Sequence, residues 1–320
     1  MATVAGGERH ELGQPVPADW EPLPPVQRRR RRRFRPSRPL RYLMLIVLAV
    51  LFVAPFAYMV SASFQPLAQM FRLPPNWVPA QPTIENYTGF FGSGRDIGRW
   101  VFNSLFVSTT NTVIILFFSS LIAYTFAKRT FPARDFLFLL GLSTLMLPTE
   151  VTLIPNYVIM KNFPLLGGND ITGVGGHGML DSYLALILPN LASVFAIFLL
   201  RQYMKSAIPD ELIDAARIDG AGHFRIYWRV VMPLCRPALA AVAIFTFQFF
   251  WADLLGPLIY ISSQELYTLP LGLTTFVLPN RSAWHLIMAG SVVATIPLIV
   301  IFFIFQRQFV RGISLSGIKG

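Results

Sequence analysis

Residues 209–233 read Pro209-Asp-Glu-Leu-Ile-Asp214-Ala-Ala-Arg-Ile-Asp-Gly220-Ala-Gly-His-Phe-Arg-Ile-Tyr-Trp-Arg-Val230-Val-Met-Pro233. The first half predicts a short helix over 209–222 with defined ends. Pro209 suits a first helical position, because its missing N–H needs no partner there. Asp210 and Glu211 complement the positive end of the helix dipole, and Arg217 complements the negative end. Gly220 is placed to stop the helix in a left-handed cap. A polar helix this short is marginal alone, since isolated helices under about 12 residues rarely hold. The segment is therefore expected to dock on a partner, with Ala215 and Ala216 as a small surface that a groove can approach.

Long apolar blocks flank this polar loop, and they decide the fold class. Of the 320 residues, 54% are hydrophobic and 13% charged, against about 25% charged in soluble domains. Six blocks reach the roughly 20 residues that cross a hydrocarbon core. They are Tyr42–Ser63, Asn103–Ala127, Phe136–Met160, Ser182–Leu200, Pro237–Ile261 and Trp284–Gln306. Pro148, Pro155, Pro189, Pro257 and Pro297 interrupt several of them. Membrane helices tolerate proline where neighbours satisfy the freed carbonyls, and recurrent kinks suit a bundle lining a pathway. The expectation is an all-α integral membrane protein of six spans over 42–309, with the loop at 203–236 between spans four and five. The Pro-rich, aromatic outer loop at 64–100 should lie along the membrane surface. The glycine-rich loop at 161–181, from Gly167 to Gly178, reads as flexible.

The net charge of +11 is a topology signal rather than a nucleic-acid face. Ten of the 27 basic residues precede position 42. With both termini inside, the inner segments carry 22 basic residues and the outer segments five; without the first 41 residues the counts are still 12 and five. The positive-inside rule then makes both termini cytoplasmic. Residues 1–41 have no apolar period and read as a disordered Arg/Pro-rich tail. The 22-residue block after it is longer than a signal core. The run Arg28–Arg33 fits a topology signal first, with anionic lipid as the competing partner. The single cysteine, Cys235, excludes an intrachain disulfide and a multi-cysteine metal site. His177, His223 and His285 do not cluster, so no metal is expected.

The loop also carries a resemblance. Asp214-Ala215-Ala216, three residues, Gly220, nine residues, then Val230-Val231-Met232-Pro233 is similar to the signature loop of binding-protein-dependent ABC transporter permeases. The family's order there is Glu-Ala-Ala, three residues, Gly, nine residues, Ile-any-Leu-Pro. The spacing matches throughout; Asp, Val and Met replace Glu, Ile and Leu. The form Ala215 to Ala221 resembles the carbohydrate-importer branch. So do Pro82-Thr-Ile-Glu-Asn-Tyr87 with Asn103-Ser104, and Leu147-Pro148 with Ile154-Pro155 and Tyr157. The end Gln306-Arg-Gln-Phe-Val-Arg-Gly312 with Gly317-Ile-Lys319-Gly320 resembles the second permease subunit of maltose-type systems.

The resemblance implies a type I importer permease fold and a non-catalytic subunit. ATP and magnesium would be bound by two separate ATPase subunits, in keeping with the absence of a phosphate-cradling loop from this chain. It implies a second homologous permease, an extracytoplasmic solute-binding protein and a bacterial inner membrane setting, while the placement of the basic residues speaks against nucleic acid. The ATPase-coupling residues it marks are Glu211, Asp214, Ala215, Ala216, Asp219, Gly220 and Pro233. Gly312, Gly317 and Lys319, in a tail at 310–320, would reach toward the ATPases.

The residues themselves add pathway candidates. Glu150 and Asp253 are the formal charges well inside predicted spans, where such groups usually face an interior or cavity. Asn156, Asn190, Gln248 and Trp251 are the polar and stacking groups a sugar would need, although polar residues also hold membrane helices together. A permease for another solute, such as an amino acid or polyol phosphate, is an alternative. A six-span membrane enzyme is the third reading; it would need paired catalytic residues, and no catalytic set stands out.

Overall fold

The structure is a computed structural model. It describes residues 38–72, 74–277 and 282–316, with side chains described as far as residue 305. The run Arg28–Arg33, Gly317 and Lys319 lie outside the described residues. The chain divides into two units, Met1–Phe52 and Val53–Gly320. In the first, the described part is the opening of helix α1 (Arg38–Ser63), with every side chain from Tyr42 to Phe52 exposed. Exposed apolar surface of this extent is what a lipid-facing helix presents.

In the second unit the helices that follow are α2 (Leu67–Met70), α3 (Glu85–Phe91), α4 (Ile97–Lys128), α5 (Arg134–Ser143), α6 (Thr149–Lys161), α7 (Tyr183–Ile187) and α8 (Val194–Ala207). The loop and the end of the chain add α9 (Asp210–Ile218), α10 (His223–Ile226), α11 (Met232–Leu234), α12 (Arg236–Trp251), α13 (Leu255–Tyr260), α14 (Leu269–Thr274) and α15 (Trp284–Ser316). No strand forms among the described residues.

Among the described residues three helices are long and apolar enough to cross a membrane: α1, α4 and the first part of α15, Trp284–Phe305. Three bent pairs bring the number to six if each is one span. They are Arg134–Met146 with Thr149–Lys161, bent by 99°, Tyr183–Asn190 with Val194–Ala207, bent by 40°, and His223–Leu234 with Arg236–Trp251, bent by 79°. Proline chemistry explains two of the three breaks. Pro148 caps α6 and cannot donate to a carbonyl of the preceding turn; Pro189 lies in the one-turn 3-10 segment between α7 and α8. The fifth block is shorter than its apolar run suggests. Its helix stops at Trp251 and resumes as α13, so Pro257 sits beyond the break rather than at a kink. At the other end α15 runs on to Ser316 as one helix, across the expected boundary at 309 and past Gly312.

Helix α4 is the axis of this unit, packing against α8 and α12, while α12 also packs on α15. One side of α4 is polar and wholly inside. Asn103, Ser104, Ser108, Asn111, Thr112, Ser119 and Ser120 are all buried at helical spacing. Small and polar residues let membrane helices approach closely and hydrogen-bond across the contact. Asn111 donates to Leu186 O at 3.2 Å, and the Ser120 and Tyr227 hydroxyls pair at 2.8 Å. The described residues of the connections at 64–96 and 262–268 are equally ordered. Asn86, from the 82–87 stretch, is buried and donates to Ser63 O and Gln65 O, both at 2.8 Å. Asn103 donates to Glu265 O and Tyr267 O at 2.9 Å and accepts from Tyr183 Oη at 2.7 Å.

The loop at 161–181 differs from its flexible sequence reading. Asn169 is buried; it donates to Lys161 O and Phe163 O and accepts from Gly176 N. The Asp170 carboxylate accepts from Thr172 N, Thr172 Oγ1 and Val174 N. The glycines supply tight turns that these bonds then lock, which is order bought with local chemistry rather than freedom.

Candidate functional site

The loop from 203 to 236 folds from its own local signals. Helix α9 covers Asp210–Ile218, with Pro209 one position outside it, at φ −61° and ψ 142°, rather than as its first residue. The stop at Gly220 is a Schellman cap. Gly220 has φ +76°, its N–H donates to Arg217 O, and Ala221 N–H donates to Ala216 O, both at 2.9 Å. Those two bonds satisfy carbonyls that a helix end otherwise leaves open.

Apolar packing and an ion pair hold α9 to the body of its own chain. Ile213 is 2% exposed and packs in the apolar cluster of Leu200, Met204, Ile208, Ile226 and Tyr227. Lys128, the last residue of α4, is buried; its Nζ donates to Ile208 O at 2.6 Å and pairs with Asp210 Oδ1 at 2.7 Å. The two alanines differ: Ala216 is partly buried against the same cluster of its own chain, and Ala215 is exposed.

The outer face of α9 carries Glu211, Leu212, Asp214, Ala215, Arg217 and Ile218, all exposed, with Ile218 at 88%. Asp214 pairs with Arg217 at 3.1 Å along the helix, so its shorter carboxylate is already engaged within α9. Asp219 caps the helix and is exposed, as is Gly220. Beyond Gly222 the chain forms α10, a π turn at Tyr227–Val231 and α11, and then swings by 79° into α12. Pro233 falls in α11, just past the π turn, and is exposed. A proline at that position removes an N–H donor, and a wider π turn is one way a helix accommodates such a loss. Phe224 and Trp228 extend the exposed apolar surface along this second arm.

A second feature is an open groove of about 630 Å³, lined by Phe245, Gln248, Phe249, Ala252, Asp253, Leu254 and Leu255. The break after α12 creates it, because Ala252–Leu254 leave the helix there. Gln248 and Asp253 meet in this groove beside two phenylalanines, the combination of hydrogen-bonding and ring surface that suits a sugar. The other four candidates lie elsewhere. Trp251 is 2% exposed and donates its indole N–H to Ala294 O at 2.8 Å, tying α12 to α15. Glu150 is exposed in the first turn of α6, and Asn156 is half-buried further along that helix. Asn190 donates to Leu186 O at 3.2 Å, one turn back.

A carboxylate clasp joins the end of the 161–181 loop to the segment after α13. Asp181 accepts from Ser262 N and Ser263 N at 2.9 and 2.8 Å, and from Ser263 Oγ at 2.5 Å, while its own N–H donates to Tyr260 O. Partial burial alone would raise this carboxyl, but the three hydrogen bonds outweigh it and hold it below the usual carboxylate range. The sequence offers no pattern for Asp181 or for the Lys128 anchor, since both partners are distant in sequence. Ile213 was legible in principle, as the one large apolar residue on the inner face of an otherwise polar helix. Among the described residues no group of three His, Cys, Asp or Glu could hold a metal.

The arabinooligosaccharides transport system permease protein of Bacillus subtilis is 35% identical to this chain over 271 residues, covering 84% of the chain and 91% of that protein. The sn-glycerol-3-phosphate transport system permease protein of Yersinia enterocolitica is 33% identical over 252 residues, covering 77% and 84%. A chain in the crystal structure of a bacterial ABC transporter involved in the import of the acidic polysaccharide alginate shares the fold, at a TM-score of 0.70 and 20% identity, over 84% of this chain and 95% of that one. The family model described as binding-protein-dependent transport system inner membrane component matches residues 115–315, which include α9, the π turn and the groove. The capped helix, the bent spans and these likenesses agree, and the chain belongs to the family of inner membrane components of binding-protein-dependent transport systems.

Proposed function

We propose that this chain forms half of the translocation pathway of an ATP-driven importer for a sugar or oligosaccharide, and that it meets its motor through the outer face of α9. The observation that carries the proposal is the construction of α9. It is fixed to its own chain on one side by Ile213 and Lys128, and bare on the other from Glu211 to Ile218. A helix held in this way transmits force, and it exposes more apolar surface at Leu212 and Ile218 than an isolated loop has reason to.

In this reading Glu211, Asp214, Ala215, Asp219 and Gly220 face a groove of a separate ATPase subunit, which binds ATP and magnesium. Ala216, packed against the chain's own cluster, and Pro233, beside the π turn, set the shape of the loop. Closure of an ATPase pair displaces α9, and the bent spans rock as bodies. A second permease subunit completes the pathway, and an extracytoplasmic binding protein delivers the solute. Both termini lie in the cytoplasm, as the distribution of basic residues supports. Gly312, Gly317 and Lys319 extend toward the ATPases. Nucleic acid has no place in the assembly.

The groove beside Gln248 and Asp253 bears on the solute. The Yersinia relative is named for sn-glycerol-3-phosphate and the Bacillus relative for arabinooligosaccharides. A carboxylate lining the groove repels a phosphate and accepts hydrogen bonds from sugar hydroxyls, which favours a neutral solute.

The test is to purify the tagged chain from its membrane, identify the subunits that come with it and measure solute-stimulated ATP hydrolysis. A preparation with no ATPase subunit sinks the proposal. Gln248→Ala and Asp253→Asn should lower uptake while the complex still assembles; full uptake by both variants removes the groove from the pathway.

A further inference from the structure

Lys128 ends α4 and lies 80 residues from Ile208, yet its side chain is only 3% exposed and its ammonium holds both residues that flank Pro209. A buried ammonium is costly unless its donors are taken up. Here one goes to Ile208 O at 2.6 Å and another to Asp210 Oδ1 at 2.7 Å. The spacing matters because Ile208–Pro209 is the turn between α8 and α9. Ile208 is extended, at φ −115° and ψ 110°, and Pro209 has its φ fixed near −61°. Neither lies in a helix, so the ψ angles on either side are where α9 would swing if it were pushed.

Lys128 removes that freedom by gripping both sides of the turn from a third element. Ile208 itself is 2% exposed in the apolar cluster, so the carbonyl end of the grip is anchored in packed side chains. Asp210 is the first residue of α9 and is 81% exposed, so the carboxylate end has no other tether. Helix α4 in turn packs on α8 and α12 and carries the buried polar stripe from Asn103 to Ser120. We propose that Lys128 is a positioning residue for coupling: it closes the hinge between α8 and α9, so that displacement of α9 by the ATPase is delivered to α4 instead of being lost in the turn. The inference rests on the function proposed above and adds to it the residue through which the push passes.

The experiment uses the whole complex in proteoliposomes with its binding protein. It reads two ratios: ATP hydrolysis with solute-loaded binding protein over hydrolysis without it, and solute imported per ATP. Lys128→Met keeps the apolar stem and removes the cation. It should assemble with the ATPase subunits, lower the first ratio at least fivefold toward one, and lower import per ATP tenfold or more. Lys128→Arg keeps a donor of similar reach and should restore most of both. Asp210→Asn leaves the Ile208 bond and should lower the first ratio about twofold.

A purely topological role predicts less complex in the membrane but normal ratios in what assembles, and normal ratios in Lys128→Met overturn the proposal. If Lys128→Met does not assemble, Asp210→Asn decides, since its altered side chain is at the surface: an unchanged ratio overturns the proposal and a reduced one upholds it. Failure of the underlying function is seen earlier and separately, as a wild-type preparation that lacks ATPase subunits or shows no stimulation.

Discussion

Replacing Gly220 tests the loop most directly. Its φ of +76° lies where a residue with a side chain costs about 1–2 kcal/mol. An added Cβ would meet nothing within 4 Å, so no clash inside this chain adds to that cost. Gly220→Ala should therefore weaken the cap by about 1–2 kcal/mol, a factor of roughly 5–30 in the population with both bonds closed. Gly220→Asn should cost less, because asparagine visits the left-handed region more readily. Hydrogen exchange at the Gly220-position and Ala221 amides, whose donors the cap uses, reads the first effect. Uptake and ATP hydrolysis in the reconstituted complex read the second. The expected order in both is wild type, then Asn, then Ala. Equal exchange and uptake in all three would refute the claim that the backbone angle shapes the loop. If Asn is impaired as much as Ala while exchange stays normal, a partner surface closing on this position is the cause, and the strain argument fails.

Other outcomes follow from the same geometry. Ile213→Ala removes the apolar anchor of α9 and should cost about 2–5 kcal/mol, as large buried-to-small changes do; limited proteolysis should then cut within 203–236, and an intact loop would argue against the anchor. The Asp181 clasp gives a pH effect with a definite sign. Its carboxyl is held below the unfolded value near 3.9, so its contribution to stability is present above that pH and is lost as pH falls further, through the folded value. Thermal unfolding in detergent should weaken below about pH 4 in wild type, with a shallower slope in Asp181→Asn; identical slopes would remove Asp181 as a source. Gly272→Ala would drive a methyl into the buried Trp100 ring, and poor yield of monodisperse protein is expected. A normal gel-filtration profile for that variant would show that α14 and α4 are not in close contact there.

Much of this was legible in the residues. The apolar blocks and the proline positions are one-dimensional signals; the blocks gave the membrane class, and Pro148 and Pro189 fall at breaks, while Pro155 and Pro297 lie inside continuous helices and Pro257 beyond its break. The helix at 209–222 was legible because its caps are local: Pro209 and Gly220 act on neighbours a few residues away. The extent of the fifth block was not, since nothing in the apolar run from Pro237 to Ile261 marks the end of α12 at Trp251. The order in the 161–181 loop was hidden for a related reason. Glycines permit turns, and only Asn169 and Asp170, by finding their acceptors and donors, make those turns one structure.

The sequence by itself determined a membrane protein with a capped polar helix, because hydrophobicity and cap chemistry are each set by residues near one another in the chain. Only the tertiary structure decided which of its polar residues face a groove, which hold helices together, and what fixes α9. Gln248 and Asp253 meet in a groove, while Trp251, close by in sequence, is spent on Ala294. Lys128 looked like one more basic residue at the end of a span, and its meaning came from acceptors 80 and 82 residues away. Hydrogen bonds act over about 3 Å, so a side chain's role is fixed by the distant backbone that folding brings beside it.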